Sequence, residues 1–178
     1  MMMLKKTMGS FKSNQHLLYS TQTYMFGTDF RVLGLQQVAI GNLSKATLGK
    51  FWCEHLGVKK VHSFVSEKEN VDEDVLEIGK GPLGTVEIDL MAPLDPEKSP
   101  KVHIPALNHI GLWVDNLENA VEYCNANEIR VVGGIRAGAS GHNITFVHPK
   151  SAGGILLELV QAPPEVIEAY DADEAEHK

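Results

Sequence analysis

Two kinds of hydrophobic spacing alternate along this chain, and they do so twice in the same order. Residues 33 to 42 (LGLQQVAIGN) read as a buried strand interrupted by two adjacent glutamines. Beyond it, Leu48, Phe51, Trp52 and Leu56 recur at helical spacing, with Ser44 as the N-cap and Gly57 as the stop. Three apolar segments follow, VKKVHSFVS (58 to 66), EDVLEIG (73 to 79) and TVEIDLMA (85 to 92), each short enough to be a strand. A shift of 72 residues superimposes much of this pattern on the second half: Leu35 falls on Leu107, Gln37 on His109, Val38 on Ile110, Ile40 on Leu112 and Phe51 on Tyr123. The cap is repeated as well, because Ser44 falls on Asn116, and Leu117, Ala120, Val121 and Cys124 then give a second helix. IRVVGGI (129 to 135), HNITFVHP (142 to 149) and GILLELVQ (154 to 161) supply its later strands.

Each half therefore reads β-α-β-β-β, and the fold class is α+β: two βαβββ modules, residues 32 to 95 and 104 to 162. One helix covers one face of a four-stranded unit and leaves the other bare. Two units side by side can curl their bare faces into one cup. Period-two alternation tells which side chains face it. In TVEIDLM, Val86, Ile88 and Leu90 belong against the helix, so Glu87 and Asp89 point into the cup. Glu158 is the one charged residue of an apolar strand, and a lone buried carboxylate must be paired, protonated or bound to a cation. His109 stands between Leu107 and Gly111 in the same setting. Gln37, Asp89, His109 and Glu158 would thus converge from four strands, two per module, either as candidate ligands of a divalent cation or as buried polar residues satisfied by hydrogen bonds. Gln36, one position out of phase with Gln37, is expected to face away.

Composition narrows the partners. The 178 residues are 43% hydrophobic and carry a net charge of -7, with no basic cluster, which argues against nucleic acid. No apolar run approaches the roughly 18 residues of a membrane span, so a soluble chain with a small-molecule partner is expected. Cys53 and Cys124 fall inside the two helices without metal-site spacing, which points to a reducing compartment. Residues 1 to 31 hold Lys5, Lys6, Lys12 and Arg31 against the single acid Asp29, the bias of a mobile or targeting extension. Residues 163 to 178 hold six carboxylates after Pro163 and Pro164 and read as a solvated acidic tail with room for a helical turn.

Over residues 34 to 162 these features resemble the vicinal oxygen chelate superfamily, which includes glyoxalase I, extradiol dioxygenases and antibiotic-binding resistance proteins. LNHIGLWVDNLENAV, IDLMAPL and GHNITFVHPKSAGGILLELVQAP most resemble its methylmalonyl-CoA epimerase branch. The resemblance implies paired βαβββ modules around a divalent metal (Co, Zn, Ni or Mn), a thioester substrate, and a homodimer in the cytoplasm or, in a eukaryote, the mitochondrial matrix. It places the metal ligands on Gln37, Asp89, His109 and Glu158, with Glu87 as a substitute for Asp89. It also makes Glu158 one catalytic carboxylate and Glu73 the other, with Asp72 and Asp74 as neighbours that a slipped alignment would choose. Two positions depart from the epimerase pattern: His is expected at Gln37, and Glu or Gln at Asp89. Glu73 lies in an acidic run that would otherwise be a solvated loop. RAGASGHN (136 to 143) and Lys150 would suit an acyl-CoA, or would be ordinary turn and surface chemistry. Two rivals remain open: a glyoxalase I acting on a thiol hemithioacetal, which Gln37 favours, and a metal-free small-molecule binder.

Overall fold

The computed structural model describes residues 29 to 177. The extension read over residues 1 to 31 therefore lies outside the described residues except for its last three. Eight strands form one sheet: β1 (Val32–Gly41), β2 (Lys59–Ser66), β3 (Val71–Ile78), β4 (Val86–Pro93), β5 (Leu107–Val114), β6 (Val131–Ala137), β7 (Asn143–Val147) and β8 (Leu156–Gln161). Among the described residues three α-helices accompany them: α1 (Lys45–Gly49), α2 (Leu117–Ala126) and α3 (Pro164–Glu176). The strand order is β2-β3-β4-β1-β5-β8-β7-β6, a half-barrel of mixed strands with few helices. The two modules pair within the chain, edge to edge through β1 and β5.

Register turns the repeat of 72 residues into a two-fold relation. Gln37 pairs with Gly111 and Ala39 with His109 on either side of Val38 and Ile110. Outward from this seam, Ala39 pairs with Asp89 and Gly111 with Glu158 in parallel ladders. Asp89 and Glu158 are consequently equivalent positions in the two modules, as are Gln37 and His109.

Both helix caps form as their sequences require. The Ser44 side chain accepts from the Thr47 N–H, and the Asn116 side chain accepts from the Asn119 N–H. The outer face of each module is apolar: Leu76, Ile88 and Leu90 pack under Leu48 and Trp52, while Val114, Val147 and Leu159 pack under Leu117, Ala120 and Cys124. Both cysteines are free thiols. The first helix departs from the expected spacing, because it passes at Lys50–His55 into a π-helical turn in which the Leu56 N–H reaches the Phe51 carbonyl. That wider turn shifts the phase of the side chains, so Phe51 and Leu56 are exposed instead of joining the buried stripe.

The C-terminal segment also differs from a solvated tail. Pro163 and Pro164 set the entry to α3, whose Val166 is buried with Leu33, Trp113, Ile144, Val160 and Ala162 at one end of the cup. Arg31 holds this helix in place, with its guanidinium bonded to Asp115 and Asp171 and lying over the Tyr170 ring. The other end is closed by Ala39, Val71, Met91 and Val102. Among the described residues no helix is long and apolar enough to cross a membrane.

Candidate functional site

Between those two apolar plugs the cup floor is polar. Gln37, Glu73, Asp89, His109 and Glu158 are each no more than 8% exposed. Gln37 from β1 and His109 from β5 stand side by side because the central ladder puts equivalent residues of the two modules close to the seam. The Gln37 amide nitrogen lies 2.6 Å from His109 Nε2 and donates to Glu158 Oε2, also at 2.6 Å. His109 Nε2 and Glu158 Oε2 are 3.3 Å apart. The imidazole is oriented from behind: Asn108 donates its amide N–H to the Val102 carbonyl, so its oxygen faces His109 Nδ1 at 2.9 Å. Nδ1 then carries the proton and Nε2 keeps a lone pair aimed at the centre.

Asp89, one strand out on the other module, stands apart. Its Oδ1 is buried without any hydrogen-bond partner. Burial, reinforced by the charges of Glu73, Glu87 and Glu158, pushes its carboxyl up to about 9. Glu73 lies on β3 facing the same interior, where burial raises it to about 7 although nearby His109 acts in the opposite direction. The neighbouring acids Asp72 and Asp74 are placed otherwise: both turn to the helix face and bind the Lys45 ammonium. Of that acidic run only Glu73 reaches the cup. Glu87 is also raised, first by burial, while an N–H of Gln36 bonds it at 2.8 Å.

That bond corrects the expectation for Gln36. Leu35 pairs with Leu112 and Gln37 with Gly111, so Gln36 is the extra residue of a β-bulge. The bulge breaks the alternation and turns both glutamines inward, leaving Gln36 only 2% exposed. Gly111 makes room for them: a Cβ there would lie 2.6 Å from Gln37 Cγ and 2.8 Å from Gln36 Oε1. Gly111→Ala should therefore displace Gln37 from His109 and Glu158. The expected result is at least a severalfold loss of turnover in a folded protein, checked by kinetics beside circular dichroism; unimpaired turnover would mean that the glutamines need not sit where they do.

Side chains that the sequence did not single out complete the setting. Phe146 meets the His109 ring edge-on at 5.5 Å, and the Arg136 guanidinium lies over the Phe146 ring. A cavity of about 410 Å³ borders Gln36 and Glu87 and runs along Trp113 and His142 to α3. Lys150 is exposed in the turn between β7 and β8.

A family model described as the Glyoxalase/Bleomycin resistance protein/Dioxygenase superfamily matches residues 36–146, well over half of the chain. The chain belongs to this superfamily. Within it, the mitochondrial methylmalonyl-CoA epimerase of Mus musculus is 32% identical over 132 residues, 70% of either chain. That of Dictyostelium discoideum is 35% identical over 103 residues, 53% of this chain and 61% of the relative. Among solved structures, the methylmalonyl-CoA epimerase of Mycobacterium tuberculosis superposes with a TM-score of 0.64 at 28% identity, covering 77% of this chain and 93% of that one. The glyoxalase-like α+β architecture is thus that of its relatives, and those relatives are isomerases.

Among the described residues no three His, Cys, Asp or Glu side chains converge as a ready-made cation cluster. The converging set is instead an imidazole, a carboxylate and an amide, and Asp89 faces the same cup without touching it. This set suits a divalent cation: the Nε2 lone pair points into the centre, where only a Gln37 N–H occupies it, Asp89 Oδ1 is an orphan, and the cup holds more carboxylate than one imidazole can balance. Only the Gln37 amide must turn over, to offer its oxygen in place of its nitrogen.

Proposed function

We propose that the protein is a metal-dependent methylmalonyl-CoA epimerase, which moves the proton alpha to the thioester from one face of the carbon to the other. The observation that carries this reading is the pair of buried carboxylates, Glu73 on β3 and Glu158 on β8, in opposite halves of one cup. His109, Glu158 and the Gln37 oxygen would hold a divalent ion (Co, Zn, Ni or Mn), with Asp89 directly or through water. When bound, that ion supplies Lewis-acid stabilisation of negative charge on the thioester oxygen.

The chain's own groups do the rest. Glu73, raised to about 7, is divided between its two protonation states near neutral pH and can take a proton or return one. Glu158 faces the carbon from the other module and acts as its counterpart. Asn108 fixes the imidazole ring, and the apolar cluster of Ala39, Val71, Met91 and Val102 limits the access of water to the reacting carbon from one end of the cup.

Incubation with methylmalonyl-CoA in D2O should place deuterium at the alpha carbon; no exchange above the enzyme-free control would refute the epimerase reading. One feature favours a second reading: an amide at position 37 also suits a glyoxalase I acting on a thiol hemithioacetal. Turnover of the hemithioacetal without deuterium exchange into methylmalonyl-CoA would choose it. Under either reading, Gln37→His should tighten divalent-ion binding by about tenfold, since imidazole is the better ligand and the donor N–H on Glu158 is removed. Calorimetry on chelator-treated protein reads this directly, and unchanged or weaker binding would take Gln37 out of the ligand set.

A further inference from the structure

Arg136 has no part in the chemistry above, yet it faces the same interior. It pairs across β6 and β7 with Ile144, which is buried inside the cup, so the two side chains lie on one face of the sheet. Its guanidinium lies 5.7 Å from the Phe146 ring centre, and that ring in turn stands 5.5 Å from the His109 ring. The cation is thus one aromatic ring away from the imidazole. Its counter-ion comes from the opposite wall: Arg136 Nη2 is 3.5 Å from Oε1 of Glu69, in the turn between β2 and β3. In the strand order, β6 is at one edge of the sheet and β3 is next to the other. The pair accordingly spans the cup, with both side chains about a third exposed.

Such a solvent-accessible pair is weakly held. A guanidinium can exchange it for a second anion that it grips in two-point fashion, whether carboxylate or phosphate. The chain's own side chains give an anionic ligand little other welcome there, because Glu73, Glu87, Asp89 and Glu158 all face the interior. We propose that Arg136 recognises an anionic group of the substrate and that Glu69 is the counter-ion it leaves on binding. This rests on the thioester reading, in which the anion is either the free carboxylate of the acyl group or a phosphate of its carrier. Arg136 is then a specificity and positioning residue and takes no part in proton transfer.

Arg136→Gln and Glu69→Gln separate this role from a structural tie. Both break the same ion pair, so a tie predicts that both impair the enzyme alike. Anion exchange predicts opposite signs: in Arg136→Gln, KM for methylmalonyl-CoA rises about tenfold with kcat nearly kept, whereas in Glu69→Gln it falls by about two- to threefold. Repeating the assay with the methylmalonyl thioester of N-acetylcysteamine, which keeps the carboxylate and lacks the phosphates, locates the anion. A rise for both thioesters assigns the carboxylate, and a rise for the CoA thioester alone assigns a phosphate. Shifts of the same sign, or no shift in either variant, overturn the proposal. Calorimetric binding of methylmalonyl-CoA to wild type and Arg136→Gln keeps the question separate from turnover: if the wild type exchanges no deuterium the epimerase reading falls, and if the two proteins bind equally well the role of Arg136 falls.

Discussion

Glu158→Gln protein is expected to fold normally and to interconvert the epimers of methylmalonyl-CoA at least about 10²- to 10⁴-fold more slowly than wild type. Normal folding follows from the contacts: the side chain is buried, and a glutamine oxygen at the same place still accepts the Gln37 N–H. The loss follows from two roles in one group. Glu158 touches both Gln37 and His109, so its removal takes away a proton carrier and an anionic ligand together. Glu73 is bonded to neither, and Glu73→Gln should give a different defect. Deuterium should still enter from the epimer whose proton faces Glu158, while inversion stops, because the second face has lost its acid. Proton NMR in D2O separates exchange from inversion in one time course. An unchanged rate in Glu158→Gln would remove the assigned centre altogether, and full inversion by Glu73→Gln would leave a single carboxylate serving both faces.

What could be read from the sequence was whatever depends on spacing alone. Period-two alternation placed Glu87 and Asp89 on the cup side of β4, and the shift of 72 made Gln37 and His109 counterparts, because both rules are local properties of an extended backbone. The misread residue, Gln36, lies where that rule is suspended. A bulge is defined by two residues opposing one on the partner strand, which cannot be seen until Leu112 and Gly111 are set against β1. The exposed Phe51 and Leu56 have a similar cause, since a slip from α to π hydrogen bonding changes the phase of a helix without changing its composition. In α3, the apolar residues Val166, Ile167 and Tyr170 are thinly spread among carboxylates and carry a weak periodic signal. Their meaning comes from the open end of the cup that they cover. Arg136 was hidden for a related reason: its partners Glu69, Phe146 and His109 lie on other elements, and only the curl of the sheet brings them together.

Asp89→Asn should make the metal-stripped protein more stable, and increasingly so as the pH rises. Asp89 has no hydrogen-bond partner for Oδ1, and its carboxyl is raised from about 4 in the unfolded chain to about 9 in the fold. A folded value above the unfolded one means that the native state holds the proton more tightly. Stability from this group is therefore complete below the unfolded value and is lost progressively as pH climbs from about 4 to about 9, because the unfolded chain ionises first. Glu73 adds a loss of the same sign over the narrower window from about 4.5 to about 7. At about 1.4 kcal/mol per pH unit, even half of the Asp89 displacement comes to about 3.5 kcal/mol, or on the order of 7–14 °C in Tm for a domain of this size. Asparagine keeps the shape and cannot ionise. In the presence of a chelator, the Tm of the variant should exceed that of wild type by that margin at pH 9 and converge with it near pH 4, leaving the losses from Glu73 and Glu87, whose carboxyls are also raised by burial. A variant that loses stability with pH as steeply as wild type would show that Asp89 is not the group whose burial destabilises the empty cup.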